Sequence, residues 1–137
     1  MNVKLLFISL MLTYHAFTAL NPQERFRSCA AAFLDDQIIV TEYTNNGICE
    51  VSSQATGILT VQTADLSPEE SIPTGKLKFR LAIQDGETGT IWSYSDKTYK
   101  EIPIRDVLGK CRVGDQIVLL TVVDEYALPH SRITVKE

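Results

Sequence analysis

The chain has 137 residues, of which 45% are hydrophobic and 22% charged, the balance of an ordinary globular protein and not of a disordered or fibrous one. Its net charge of −4 comes with no basic run, which argues against nucleic-acid binding, because such a surface must exchange cations for phosphate counterions. The same deficit argues against adhesion to an anionic membrane.

The first element is a leader. Lys4 gives a short positive start, residues 5–12 (LLFISLML) form an apolar core, and residues 14–19 (YHAFTA) end on small side chains. This is the layout of a secretory signal peptide. It is too short for a transmembrane helix, which needs roughly 20 apolar residues, and Tyr14 and His15 interrupt it. The expected organisation is therefore a signal peptide over 1–19 and one domain over 20–137, with no membrane span once the leader is gone. Lys4 is the leader's only charged side chain, so its removal takes the net charge to −5.

Asn21, Pro22 and Glu24 read as an N-cap, a first helical position and a first-turn carboxylate. Phe26, Cys29, Ala30, Phe33 and Leu34 follow at helical spacing, so a short N-terminal helix ending at Asp35-Asp36 is expected, unless the segment feeds directly into a strand. From there the pattern is β. Residues 38–44 are rich in β-branched side chains, Asn45-Asn46-Gly47 signals a hairpin turn, and 48–51 return antiparallel. Residues 57–63 place Leu59 and Val61 on one face, with Thr60 and Gln62 on the other. Residues 66–75 (LSPEESIPTG) read as the longest loop.

Residues 76–83 (KLKFRLAI) alternate with period two, turning Leu77, Phe79, Leu81 and Ile83 to a core and Lys76, Lys78 and Arg80 to water. Asp85-Gly86 and Thr88-Gly89 mark a turn. Residues 90–95 and 99–104 read as a hairpin around 95–98. Val107, Leu108 and Cys111 suit one helical turn over 105–111. Residues 116–123 form an apolar run that suggests a strand covered on both sides, and 132–135 alternate again. About eight short strands separated by turn signals predict a mainly-β fold, a single antiparallel β-sandwich of Ig-like type.

The order of the last segments, KLKFRLAI, then IRDVLGKC, then VGDQIVLLTV, then ALPHSRITV, resembles the small β-sandwich repeats in the periplasmic part of the GldM family of gliding-motality and type IX secretion proteins of Bacteroidota. The resemblance covers residues 76–135, and its most specific elements are Gly114-Asp115 and Leu128-Pro129. It implies a fold and a periplasmic setting. It does not carry the motor-coupled role, because fold analogy does not carry function.

Chemistry is sparsely signalled. With His15 in the leader, His130 is the one histidine of the domain, so a histidine–metal cluster within one chain is excluded and no cofactor is implied. Adjacent carboxylates at Asp35-Asp36, Glu69-Glu70 and Asp124-Glu125 point apart in extended chain, and read as charged turn tips. Neither a phosphate-binding glycine pattern nor a nucleophile elbow is present. The sequence therefore names no catalytic and no metal-ligating residue.

Cys29, Cys49 and Cys111 form no C-x-x-C pair. In an oxidising compartment two of the three can bridge. Cys49 follows the Asn45-Asn46-Gly47 turn and Cys29 precedes the strand entering it, so Cys29–Cys49 is the expected disulfide, with Cys111 a buried thiol. The alternative is that all three are small buried apolar side chains. Trp92, Tyr94 and Tyr99 cluster in the expected hairpin, Trp92 and Tyr94 on one face by parity. They either form a binding surface or fill the core.

The expected function is that of a periplasmic or secreted, non-enzymatic binding or structural protein acting through protein or glycan contacts. The alternative is a small secreted hydrolase or inhibitor with a site assembled from loops near 124–130. Expressed with its leader in a suitable host, the protein should appear outside the cytoplasm, shortened by about 18–20 residues as leader cleavage requires. N-terminal sequencing that finds Met1 on exported protein would refute the leader.

Overall fold

The structure, a computed structural model, describes residues 29–66, 71–122 and 126–137. The leader and most of the expected N-terminal helix lie outside the described residues. The described chain runs β1 (Ala30–Leu34), β2 (Gln37–Ile38), β3 (Glu50–Ser52), β4 (Ile58–Leu66), β5 (Ser71–Leu77), β6 (Phe79–Gln84), β7 (Ile91–Ser93), β8 (Ile102–Pro103), α1 (Ile104–Leu108), β9 (Gln116–Thr121) and β10 (Arg132–Lys136). The protein is mainly β, and two five-stranded sheets pack face to face as a β-sandwich. Sheet A has the order β2-β1-β4-β5, with β8 also on β4; sheet B has the order β3-β10-β9-β6-β7. Among the described strands one pairing departs from an all-antiparallel design, β3 lying parallel to β10.

Where the described residues reach the expected helix, they correct it. Ala30–Leu34 is a strand antiparallel to β4. Ala30 and Ala32 face the core between the sheets, while Ala31 and Phe33 enter a second apolar cluster on the far side of sheet A. A strand covered on both faces has no polar alternation, so its spacing mimics a buried helix, and packing overrides the helix propensity of alanine. Asp35 and Asp36 do not end a helix. With φ of 50° and 63° they are the two central residues of a tight hairpin turn of the type that needs positive φ at both positions. Asp35 Oδ1 accepts from Ile58 N at 2.8 Å, and Asp36 Oδ1 accepts from the buried Gln62 Nε2 at 2.9 Å, so both carboxylates hold this turn against β4.

The second cluster exists because sheet A is curled. β2 and β5 lie three strand spacings apart in the sheet, about 14 Å if it were flat, yet their backbones come within contact distance. Phe33, Ala31 and Ala64 are buried inside that curl, with Thr60 and Gln62 also buried. Gln62 Nε2 also donates to Thr60 Oγ1 at 2.9 Å, which satisfies the amide in a dry place.

The expected loop over 66–75 is a strand from Ser71 onward. Pro73 and Gly75 are tolerated because β5 is an edge strand, with a register irregularity at Thr63/Ala64. The expected single strand over 76–83 holds in its alternation but is shared between sheets. The chain leaves sheet A after Leu77, passes Lys78, and joins sheet B at Phe79. Phe79, Leu81 and Ile83 are buried while Lys76, Lys78 and Arg80 are exposed. The expected hairpin over 90–104 is not formed. β7 pairs with β6, Tyr99 returns to bridge Phe79, and β8 crosses to sheet A. The hairpin at 38–51 is reduced to one antiparallel bridge, Val40 to Cys49, around a turn closed by Gly47 N donating to Thr44 O at 3.0 Å.

α1 forms where a helical turn was expected, and its buried Ile104, Val107 and Leu108 plug the space between the sheets. β9 is buried on both faces at Ile117, Val118 and Leu119, but Leu120 is 48% exposed, so the outer cover of that strand is partial. Asp115 is buried and fixes the approach to it. Its carboxylate accepts from Gly86 N at 3.0 Å and from Arg112 N at 2.8 Å, joining the β6–β7 turn to the turn before β9. A side chain at Gly86 would meet Gly114 O at 2.3 Å, so the two turns can approach only through glycine.

Phe79 is fully buried and Lys78 exposed. Phe79→Ala should cost about 3–5 kcal/mol and Lys78→Ala under about 0.5 kcal/mol, measured by urea denaturation. Equal losses would show that the crossing between the sheets is misplaced.

Candidate functional site

The aromatic trio separates into two kinds of side chain. Tyr94 N donates to Leu81 O at 2.9 Å, and Tyr99 and Phe79 exchange backbone hydrogen bonds, each of 2.8 Å. These bonds turn Tyr94 and Tyr99 inward against the core. Their rings stand 6.2 Å apart in an edge-on contact, and the Tyr99 ring lies 6.3 Å from that of Phe79. The Tyr99 hydroxyl pairs with Ser95 Oγ at 2.7 Å, and Lys110 Nζ sits 4.7 Å over the Tyr94 ring. Partial burial pushes the Tyr94 phenol upward. Tyr94 and Tyr99 thus close the side of the sandwich.

Trp92 differs. It pairs with Ile83 and so points to the same side as Tyr94, as parity required, yet it is 39% exposed because β7 is the last strand of sheet B. Beside it Ile91 is 51% exposed. All three residues of β7 are exposed, and among the described residues β6 is the one strand paired with it. Among those residues the site is therefore the edge of sheet B, carrying an indole and an aliphatic side chain.

A second group was not foreseen as a unit. Cys29 forms a parallel bridge with Ala127, and Ala30 N donates to Ala127 O at 2.8 Å, which ties the 126–130 segment to the start of β1. The His130 ring meets Tyr43 edge-on at 5.5 Å. The Tyr43 hydroxyl donates to Ala30 O at 2.9 Å and lies within hydrogen-bonding reach of the Cys29 thiol. Burial, and secondarily the neighbouring thiol, hold the Tyr43 phenol well above its usual range. A phenol kept protonated and committed to a backbone carbonyl offers no general base at neutral pH. The sequence signal was present in Tyr43 and His130 separately, but nothing local joins residues so far apart in the chain. Asp124 and Glu125, which the loop-assembled alternative included, lie outside the described residues.

The structure does not bring the expected Cys29–Cys49 pair together. No disulfide joins them, and they stand on opposite sides of sheet A. Cys49 lies in the core between the sheets with Ala30 and Ala32, whereas Cys29, one residue out of phase with Ala30, faces Tyr43 on the other side. Burial pushes the Cys49 thiol up to about 11. The Cys111 thiol is also pushed up to about 11, by burial first and then by the Asp115 carboxylate, and its Sγ–H donates to Val107 O at 3.4 Å. Among the described residues no three His, Cys, Asp or Glu side chains are gathered as a metal site, and no helix is long and apolar enough to cross a membrane.

Comparison with family models, with curated proteins and with solved structures finds no match for this chain.

The thiols give a pH dependence. In the unfolded chain they ionise near pH 8.5, about the usual cysteine value, whereas Cys49 and Cys111 stay protonated in the fold up to about 11. Across that window the native state holds protons that the unfolded state has lost, so stability falls as pH rises. The melting temperature should be level between about pH 6 and 8 and drop above that. Alanine at both positions should flatten the fall between about pH 8.5 and 10, below the range where the Tyr43 phenol, also held protonated in the fold, adds its own, and an equally steep fall there in that variant would exclude the thiols as its source.

Proposed function

We propose that this is an exported, non-enzymatic binding protein, periplasmic or secreted, that acts through contacts with another protein or a glycan. The observation that carries this reading is the β7 edge of sheet B, where Ile91 and Trp92 stand half-exposed on a strand that pairs, among the described residues, with β6 alone. A free edge offers backbone donors and acceptors to an extended partner, and an exposed indole adds apolar area and a polar N–H in one rigid group. The leader over residues 1–19 supports export, and the resemblance of residues 76–135 to the GldM-type periplasmic repeats favours the same compartment.

The competing reading, a small hydrolase or inhibitor working through the 124–130 loop, has Cys29, Tyr43 and His130 as its material. Tyr43 is held protonated there, and His130 meets its ring edge-on, an arrangement suited to packing a loop against β1.

Trp92 is the chain's single tryptophan, so its emission reports directly on the edge. Titration with a panel of extended peptides and oligosaccharides should shift the emission to shorter wavelength for members that bind, and Trp92→Ala should weaken their binding measured by calorimetry by about 10-fold or more, as for an interface anchor. A panel that binds without moving the tryptophan emission would place the site elsewhere.

A further inference from the structure

β7 pairs with β6 in the register Ala82–Ser93, Ile83–Trp92 and Gln84–Ile91. Just beyond its two ends, Tyr94 N donates to Leu81 O at 2.9 Å and Asp85 N donates to Thr90 O at 2.8 Å. In an antiparallel ladder the residues that exchange hydrogen bonds alternate with those that do not. Thr90 and Tyr94 belong to the bonded set, so Trp92 does too, and its N–H and C=O turn toward Ile83. The N–H and C=O of Ile91 and Ser93 therefore turn the other way, to the outer side of β7. All three residues are exposed, Ile91 to 51% and Trp92 to 39%. Residues 88–95 (TGTIWSYS) carry no charged side chain in a chain that is 22% charged. β7 itself holds neither lysine nor proline, the residues that commonly guard a sheet edge.

We propose that β7 pairs with β7 of a second copy of this chain, antiparallel about a two-fold axis at Trp92. This rests on the reading of the β7 edge as the binding surface and names its occupant. Register selects that occupant. In a two-fold pair, residue i of one copy faces residue j of the other and j faces i. Setting Ile91 opposite Ser93 of the second copy satisfies the outward groups of both residues in both copies. Centring the pair on Ile91 or on Ser93 bonds only one residue of each copy, so β7 is complementary to itself at one register. That register sets the two Trp92 residues opposite each other as a non-bonded pair, where side chains approach most closely, and an aromatic cross-strand pair favours association. Charge agrees with it. Two copies of net charge −4 repel, and the seam lies in the stretch where neither brings a charge. A glycan can stack on the indole but brings no backbone in register with Ile91 and Ser93. Three residues from each copy make a contact smaller than a stable interface needs, so the dimer is weak and reversible, and a longer extended ligand can displace it.

The test is sedimentation equilibrium of the purified protein over a concentration series, with the emission of its single tryptophan read on the same samples. Monomer and dimer should exchange with concentration, and the emission should move to shorter wavelength as the two indoles cover each other. Ser93→Pro removes an outward N–H and leaves the bonds to β6 in place. Ile91→Lys puts a positive charge on each copy beside the seam. Each should weaken the dimer by about 10-fold or more, as for an interface anchor, and keep the wild-type circular dichroism and melting temperature. If the proline variant does not fold, the lysine variant carries the test. A protein that stays monomeric up to about 1 mM, or a dimer that a folded variant does not weaken, would overturn the proposal. The edge reading has its own readout. Peptides or sugars that move the Trp92 emission of a wholly monomeric protein would overturn self-pairing and leave the edge as the binding surface. A dimer that the substitutions dissolve and that no peptide or sugar displaces supports self-pairing and removes the other ligands.

Discussion

The rest of the fold depends on the passage of one extended segment from sheet A to sheet B at Lys78. Leu77 ends β5 and Phe79 begins β6, and the alternation continues through the crossing, so Leu77, Phe79 and Leu81 all look into the same interior. Phe79 is fully enclosed there, and its backbone is held by both hydrogen bonds to Tyr99. A slip of one residue would turn every one of these side chains outward, which fixes the register of β6 on β9. Tyr99 in turn sets where the chain starts back toward sheet A as β8, and α1 follows at once, started by Ile104 N donating to Gly57 O at 2.9 Å. Two of the chain's passages between the sheets, at Lys78 and between Tyr99 and Ile102, are thus held side by side by the Phe79–Tyr99 bridge.

Sequence made the period of these segments legible but not the sheet to which each belongs. The alternation of residues 76–83 and the apolar run of 116–123 are local patterns, and strands carry them in the structure, the first divided between β5 and β6 and the second over Gln116–Thr121. Nothing in KLKFRLAI marks Lys78 as the point of transfer, because a chain that changes sheets without changing its inward parity keeps its pattern. Residues 30–34 failed for the opposite reason: a strand buried on both faces loses the polar alternation that identifies strands. Pro73 misled the reading of 71–75, since proline is a loop signal that an edge strand also accepts. Of the site, Trp92 and its parity with Tyr94 were legible. The exposure that distinguishes Trp92 was not, because it follows from β7 being last in sheet B.

Polar groups show where the sequence invested in geometry. Asp35, Asp36, Asp85 and Asp115 each place a carboxylate on nearby donors: Ile58 N, Gln62 Nε2, the amides of Glu87 and Thr88, and those of Gly86 and Arg112. The donors to Asp85 hold its carboxyl below the usual carboxylate range. These acids are turn locks, which is why a chain rich in carboxylates gathers no acid–base pair from them. Two of the edge strands, β5 and β7, are managed differently. β5 carries Pro73, which donates nothing along the edge, and an ion-paired Lys76, both devices that discourage strand addition. β7 is kept to three residues, which limits indiscriminate pairing by length alone and leaves its side chains in the open.

The thiols bear on the export proposed above. A small secreted domain often relies on disulfides because its core is limited, yet here sheet A itself separates Cys29 from Cys49. Such a domain must take its stability from burial, and the fully enclosed Phe33, Leu59, Phe79, Ile117 and Ile133, distributed over both clusters or both sheets, are the residues that supply it. The same burial also protects the thiols chemically. Disulfide exchange proceeds through the thiolate, and at neutral pH Cys49 and Cys111, both raised to about 11, present very little of it. An oxidising compartment is therefore compatible with this core without a Cys29–Cys49 bridge. Packing that excludes water both holds the sandwich together and keeps the sulfur of Cys49 in its unreactive form, whereas Cys111, expected buried, is only partly so and is held protonated by that partial burial and by the Asp115 carboxylate.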